Sequence, residues 1–297
     1  MINMRKIHPW YITGLIDAEG SFAVNILKDD SRKSGYIITH SLELALNVKD
    51  KILLDKIKST LKVGNIYYRS RDNTYIWKVS NINELVDVIL PHLDNHRLLT
   101  RKISDFWIFK SIIDIMHNKG HYNSKGIDKI LHLRTLLNER KLKIRGKFVA
   151  EVSSISLLLL SNPLWLTGFV EGEGCFYISI YKSSKSKLGF AVQLIFKITQ
   201  HSRDIAVLSS IRRSFECGRI EKRGNKSICD FTVSSFKEIT SKIIPHFSKY
   251  PLMGAKSLDF DDFKKAVYII SSKDHLTARG LEKLIQIKSN MNTRRKF

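Results

Sequence analysis

The chain repeats itself at a constant spacing, and this duplication limits its possible folds more than any other feature. Pro9-Trp10-Tyr11-Ile12-Thr13-Gly14-Leu15-Ile16-Asp17-Ala18-Glu19-Gly20-Ser21-Phe22 returns as Pro163-Leu164-Trp165-Leu166-Thr167-Gly168-Phe169-Val170-Glu171-Gly172-Glu173-Gly174-Cys175-Phe176. The offset is 173 − 19 = 154 at the acid before the last glycine, and it holds at Asp50/Asp204, Gly64/Gly218, Pro91/Pro245, Lys102/Lys256, His121/His275 and Gly126/Gly280. One duplicated unit covers nearly the whole chain, and each copy delivers one acidic helix end to a pseudo-twofold arrangement. The halves are expected over 1–140 and 162–297. The segment 141–161, a basic run followed by a short apolar patch, is expected to link them.

Each half reads as helix, two strands, helix, two strands, then further helices, the last over about Lys119–Arg140 and Lys273–Arg294. The first helices open on Pro9 and Pro163, since a proline at the first helical position loses only an N–H that has no partner anyway. Asn162 is a natural N-cap. Gly20 and Gly174 stand where a left-handed residue is expected to close the helix. Then Phe22, Val24 and Ile26 alternate with Ala23, Asn25 and Leu27, and Phe176, Ile178 and Ile180 with Tyr177, Ser179 and Tyr181. The second strands follow the same rule. Period-2 alternation with one apolar side predicts antiparallel sheets with a core face and a wet face. Asp50–Leu61 and Asp204–Phe215 read as amphipathic helices, followed by turns at Gly64 and Gly218.

The charge narrows the class of partner. Lys+Arg number 50 against Asp+Glu 28, a formal net charge of +22 in 297 residues, spread along the chain rather than held in one tail. Such an excess favours a polyanion. A membrane is the less favoured partner, because the longest apolar run, Ile155–Leu160, is interrupted by Ser156 and too short to span a bilayer. The three cysteines, Cys175, Cys217 and Cys229, have no metal-type spacing, which argues against a zinc site or a disulfide framework. The start, Met1 to Pro9, has no cleavable secretory signal.

Glu19 and Glu173 sit in the last turn of their helices, where the partial negative charge disfavours an acid. The same unfavourable placement made twice points to a cation at that place. Carboxylates together with helix-end carbonyls, Ala18 and Gly172 in this case, form a hard oxygen set suited to Mg²⁺. Asp17 and Glu171, two residues earlier, point to another side of the helix and read as supporting groups. Gly14 and Gly168 would let helices approach closely. No Ser/His/Asp or Cys/His arrangement stands out, and no phosphate-binding loop of the ATPase type is present.

The two motifs Thr13–Gly20 and Thr167–Gly174 resemble the paired signatures of a single-chain LAGLIDADG homing endonuclease. The resemblance covers both halves. It implies an α+β fold: two pseudo-twofold-related αββαββα units forming a saddle, with antiparallel sheets along the DNA major groove. It further implies a monomer that cuts double-stranded DNA with Mg²⁺ or another divalent cation such as Mn²⁺, with Ca²⁺ giving a bound but uncleaved complex. The final motif acids, Glu19 and Glu173, then bind metal at the scissile phosphates, with Lys102, Lys256 and Gln200 as further catalytic candidates. An organelle, the mitochondrion, is the implied setting.

Strand parity assigns the wet face. It carries Asn25, Thr39, Ser41, Glu43, Tyr67, Arg69 and Lys78 in the first half. In the second it carries Ser179, Tyr181, Gln193, Lys197, Arg219, Glu221, Arg223, Asp230 and Thr232. Arg with guanine, Gln or Asn with adenine, and acids with cytosine are the pairings such a face can make. The two sets differ, so the expected target is not a perfect palindrome. The alternative reading is an intron RNA maturase on the same scaffold, which often loses an acid; a non-catalytic repressor is a third. Neither accounts for two acids at helix C-termini. The repeat also breaks usefully at Gln200, whose partner position is Leu46: only the glutamine can orient a water.

Overall fold

The alternating segments become two antiparallel four-stranded sheets, one in each half. The computed structural model describes residues 6–137 and 162–295, apart from 33 and 225, and these fall into two compact units. The linker expected over 141–161 lies outside the described residues. The first unit runs α1 (Pro9–Glu19), β1 (Gly20–Lys28), β2 (Tyr36–Asn47), α2 (Lys51–Leu61), β3 (Asn65–Arg69), β4 (Thr74–Val79), α3 (Lys102–His117) and α4 (Ser124–Leu136). The second repeats it as α5 (Pro163–Glu173), β5 (Gly174–Lys182), β6 (Phe190–His201), α6 (Ile205–Phe215), β7 (Arg219–Lys222), β8 (Ile228–Val233), α7 (Lys256–Ser271) and α8 (Ala278–Ser289). The strand orders are β1-β2-β4-β3 and β5-β6-β8-β7, which makes the fold α+β. The last helical segments are shorter than expected: single 3₁₀ turns, Gly120–Tyr122 and Asp274–Leu276, precede α4 and α8.

The core lies between each sheet and its helices. Phe22 packs against Phe106 and Phe109 at ring separations of 5.8 and 5.1 Å. Phe176 takes the same place against Phe196, Phe247, Phe260 and Phe263. Trp77, fully buried, donates its indole N–H to the Val63 carbonyl at 2.9 Å, while the matching Phe231 needs no such partner.

Two expectations about helix ends are corrected. Gly20 and Gly174 are not left-handed: their φ values are −71° and −84°, and each is already the first residue of a strand. Glycine is required there for space. A Cβ on Gly20 would lie 2.6 Å from the Ile16 carbonyl oxygen, and one on Gly174 would lie 2.4 Å from the Val170 side chain. Left-handed glycines do occur elsewhere, among them Gly64 and Gly218, at φ +76° and +74°, which turn the chain into β3 and β7. Asn162 occupies the N-cap of α5 without a capping side-chain bond, whereas His8 accepts from the Trp10 N–H at 3.3 Å.

Pro91 and Pro245 explain a shared irregularity. Proline cannot donate to the carbonyl four residues back, so the helices widen to π turns just before them, at Leu85–Ile89 and Ile239–Ile243. His92 and His246 follow these prolines, and burial depresses both pKa values to about 4, helped at His92 by the nearby charge of His96. Because the folded chain resists protonation that the unfolded chain accepts near 6.5, the stability these neutral rings contribute is whole above that pH. It is lost as pH falls toward 4, by up to about 1.4 kcal/mol per pH unit for each ring. Replacing both with Gln should flatten the acid limb of a thermal-melting profile between pH 6.5 and 4.5.

Candidate functional site

The acid pair of each motif divides into an anchor and an outward group. Asp17, buried on α1, accepts from the Leu99 N–H at 2.7 Å, the Thr100 N–H at 3.2 Å and the Thr100 hydroxyl at 2.6 Å. The Lys102 N–H in turn donates to that hydroxyl at 3.1 Å, so Asp17 sets the start of α3. Glu171, one methylene longer, does the same with one oxygen, accepting from the Met253 and Gly254 N–H groups at 2.6 and 2.8 Å. Glu19 is exposed at the end of α1 and Glu173 half-buried at the end of α5.

This anchoring delivers a lysine to each motif-helix C-terminus. Lys102 Nζ donates to the carbonyls of Ile16 at 3.0 Å and Ala18 at 3.3 Å. Lys256 Nζ donates to Gly172 at 3.4 Å and to the Gly174 carbonyl. An ammonium at a helix C-terminus offsets the unfavourable field that Glu19 and Glu173 meet there. Part of the cation called for by the sequence is thus the protein's own. Each terminus gathers hard oxygen donors, one glutamate carboxylate and one carbonyl, which fits Mg²⁺ or Ca²⁺ better than a soft metal. The Ala18 and Gly172 carbonyls already receive the ammonium groups, so a metal there would share them. Among the described residues, no group of three or more His, Cys, Asp or Glu could hold an ion alone. All three cysteines are free thiols.

The register puts the expected wet-face residues that lie in strands on the side of their sheet opposite the core; Arg223 follows the end of β7 and reaches Asp230 with its side chain. Asn25 faces Thr39, and Glu43, Lys78 and Asn65 form one cross-strand row. In the second half Ser179 faces Gln193, while Lys197, Thr232 and Arg219 form a row beside Thr199, Asp230 and Glu221. Tyr67 and Tyr181 are half exposed.

Three members of that set are corrected: Ser41, Asp230 and Thr232 are buried on this face, at 3–4% exposure. Ser41 donates to Glu43 at 2.9 Å, and Lys78 bridges the same carboxylate at 2.9 Å. Burial would raise the Glu43 pKa, but Lys78 and Ser41 hold it below the usual range. Thr232 lies in one cross-strand row between Lys197 and Arg219. Asp230 lies beneath Arg223, Lys197 and Thr199. Thr199 shares the parity of Lys197 and so falls on the polar side of β6 by the same alternation, although it is not among the residues expected to contact DNA. Gln200 pairs with Cys229 on the core side, two residues beyond the rung of Gly174 with Ile198, the end at which α5 enters.

The LAGLIDADG endonuclease family model matches residues 12–113 and 166–267. The chain is 35% identical over 304 residues to "Probable intron-encoded endonuclease 2" of Neurospora crassa, an alignment covering 96% of this chain and 65% of that protein. The chain therefore spans just under two thirds of that relative's length. Among solved structures, the I-LtrWI LAGLIDADG homing endonuclease bound to target DNA is 42% identical, with a TM-score of 0.87 over 97% of this chain and 98% of that one. I-SmaMI, bound to an uncleaved DNA target in the presence of calcium ions, is 33% identical, with a TM-score of 0.87 over 97% and 99%. No helix among the described residues is long and apolar enough to cross a membrane.

Proposed function

This chain belongs to the LAGLIDADG endonuclease family, and we propose that it is a homing endonuclease: a monomer that hydrolyses both strands of a long, pseudo-palindromic DNA target. The observation that carries this reading is the repeated helix end, where an outward glutamate and a lysine from the following long helix meet in both halves. The target DNA in the I-LtrWI and I-SmaMI structures supports the partner, and the calcium in the latter supports a divalent ion. Intron-encoded relatives support an organellar origin, the mitochondrion in our reading.

Glu19 and Glu173 would hold the metal, with Ala18 and Gly172 as secondary donors. Mg²⁺ bound there supplies phosphate polarisation and an acidified water. Lys102 and Lys256 place positive charge where the phosphate gathers negative charge during attack. Asp17 and Glu171 hold those lysines to the helix ends, and the wet faces with their cations track the phosphate backbone and read base edges. Selection of cleaved sites from a randomised duplex library tests the assignment. Affinity for the selected duplex should fall about a thousandfold or more between about 50 and about 200 mM salt, through counterion release. A nearly flat salt response, or preference for structured intron RNA over every duplex, would contradict it.

Gln200 makes the two halves chemically unequal in this reading, since Leu46 cannot orient a water. A nicked intermediate should accumulate transiently on supercoiled substrate. Gln200→Leu should slow one strand's cleavage far more than the other's without a matching loss of affinity. Equal slowing of both strands would leave Gln200 a structural residue.

A further inference from the structure

Arg69 and Arg223 occupy the same place in the repeat, since 223 − 69 = 154. Each is clamped by an acid, but the two acids are not repeat partners. In the first half Asp72, from the turn after β3, takes Arg69 Nε at 2.9 Å and Nη2 at 2.7 Å. In the second half Asp230, from β8, takes Arg223 Nε at 2.6 Å and Nη2 at 2.9 Å. The position matching Asp230 is Ile76. Each carboxylate is also backed by a threonine hydroxyl: Thr74 on Asp72 at 2.8 Å and Thr199 on Asp230 at 2.7 Å. Two different acids thus make one side-on clamp on one repeated arginine.

The clamp has a chemical consequence. A guanidinium carries five N–H donors in a planar fork. Engaging Nε and one Nη2 hydrogen turns the opposite edge, formed by the two terminal nitrogens, away from the carboxylate and toward a second bidentate contact; at Arg223 the Nη2 also reaches the Thr199 hydroxyl at 3.4 Å, a long contact that a base acceptor would displace. That edge matches the O6 and N7 acceptors of guanine in the major groove. With its inner edge fixed, the arginine loses little further side-chain freedom when it meets a base.

We infer that Arg69 and Arg223 are a matched pair of guanine-reading residues, and that Asp72 and Asp230 are positioning residues that aim them without touching DNA. This rests on the DNA-binding reading above. The two clamps differ in strength. Asp230 has a side-chain exposure of 5% and also faces Lys197 Nζ at 3.6 Å, whereas the side chain of Asp72 is 41% exposed. Exposed ion pairs contribute little. The second half-site should therefore depend on its clamp more than the first. Asp230 is buried too deeply to meet a cytosine amine, the role its parity alone suggested.

A double-variant cycle on base discrimination tests this. The probe is the duplex that the wild-type chain selects by cleavage from a randomised library, together with its single-base-pair variants, titrated in calcium. Asp230→Asn should cut discrimination at one guanine by about tenfold, the scale of one bidentate pair. It should leave affinity for unrelated duplex equal or slightly higher, because a negative charge leaves the face. Arg223→Ala should lose discrimination at that same base pair, and the double variant should be no worse than Arg223→Ala. Asp72→Asn should have a smaller effect, at the other half-site. If Asp230→Asn folds poorly in a thermal melt, Thr199→Val loosens the clamp while keeping the carboxylate, and a smaller loss at the same base pair is expected. Losses at different base pairs, or losses that add in the double variant, would overturn the positioning role. Failure of the wild-type chain to bind any duplex would instead refute the DNA-binding reading itself.

Discussion

Glu19→Gln and Glu173→Gln are each expected to abolish double-strand cleavage of the selected target while leaving duplex affinity nearly unchanged. The amide keeps the shape of the side chain and removes its charge, so the fold and the sheet faces stay intact. Metal affinity at that helix end drops, because a neutral amide oxygen replaces a carboxylate where, among the described residues, no cluster of three or more His, Cys, Asp or Glu could take over the ion. A loss on the order of a thousandfold in single-turnover rate is the scale set by removing a preorganised charge from a reacting phosphate. Each single variant should at most nick one strand. A doubly substituted protein that cuts at the wild-type rate would remove both residues from the site. Binding measured in calcium separates this outcome from simple unfolding.

The second large effect is on stability. Asp17→Ala should destabilise the first half by about 3 to 5 kcal/mol, because removing a buried charged acceptor strands its donors. The donors left behind are the N–H groups of Leu99 and Thr100 and the Thr100 hydroxyl. Glu171→Ala should cost less, since Glu171 is only half-buried whereas Asp17 is buried. Denaturant unfolding followed by tryptophan fluorescence resolves the difference, because three of the four tryptophans, Trp10, Trp77 and Trp107, lie in the first half. Any Asp17→Ala protein that survives should cleave poorly, since the bonds that place Lys102 at the end of α1 pass through Thr100. Equal midpoints for wild type and Asp17→Ala would show that this carboxylate holds nothing in place.

Much of this was legible in the residues because it depends on period and parity. Alternation placed Phe22, Val24, Phe176 and Ile178 in the core, and the register confirmed which side of each sheet the polar set occupies. The constant offset tied Lys102 to Lys256 before any contact between lysine and helix end was visible. Parity cannot report depth, however. Ser41, Asp230 and Thr232 are on the expected side, but longer neighbours cover them, and covering depends on the side chains that stand beside them across the sheet. Nor could the sequence distinguish two reasons for a glycine. Gly20 and Gly174 were read as conformational and proved steric, because the strand leaves the helix so directly that Ile16 and Val170 fill the space of a side chain. His92 and His246 carried no sequence signal beyond matching positions. Their depressed pKa values come from burial that only the packed helices create.

The central claim is that Glu19 and Glu173 are the metal-binding carboxylates of a two-strand cut. Anomalous scattering from crystals of the chain with its selected duplex and manganese tests it most directly. The expected result is manganese against both carboxylates and the backbone phosphates at the cut positions, with density lost at whichever acid is changed to Gln. Manganese bound elsewhere, with both glutamates away from it and from the phosphates, would contradict the account.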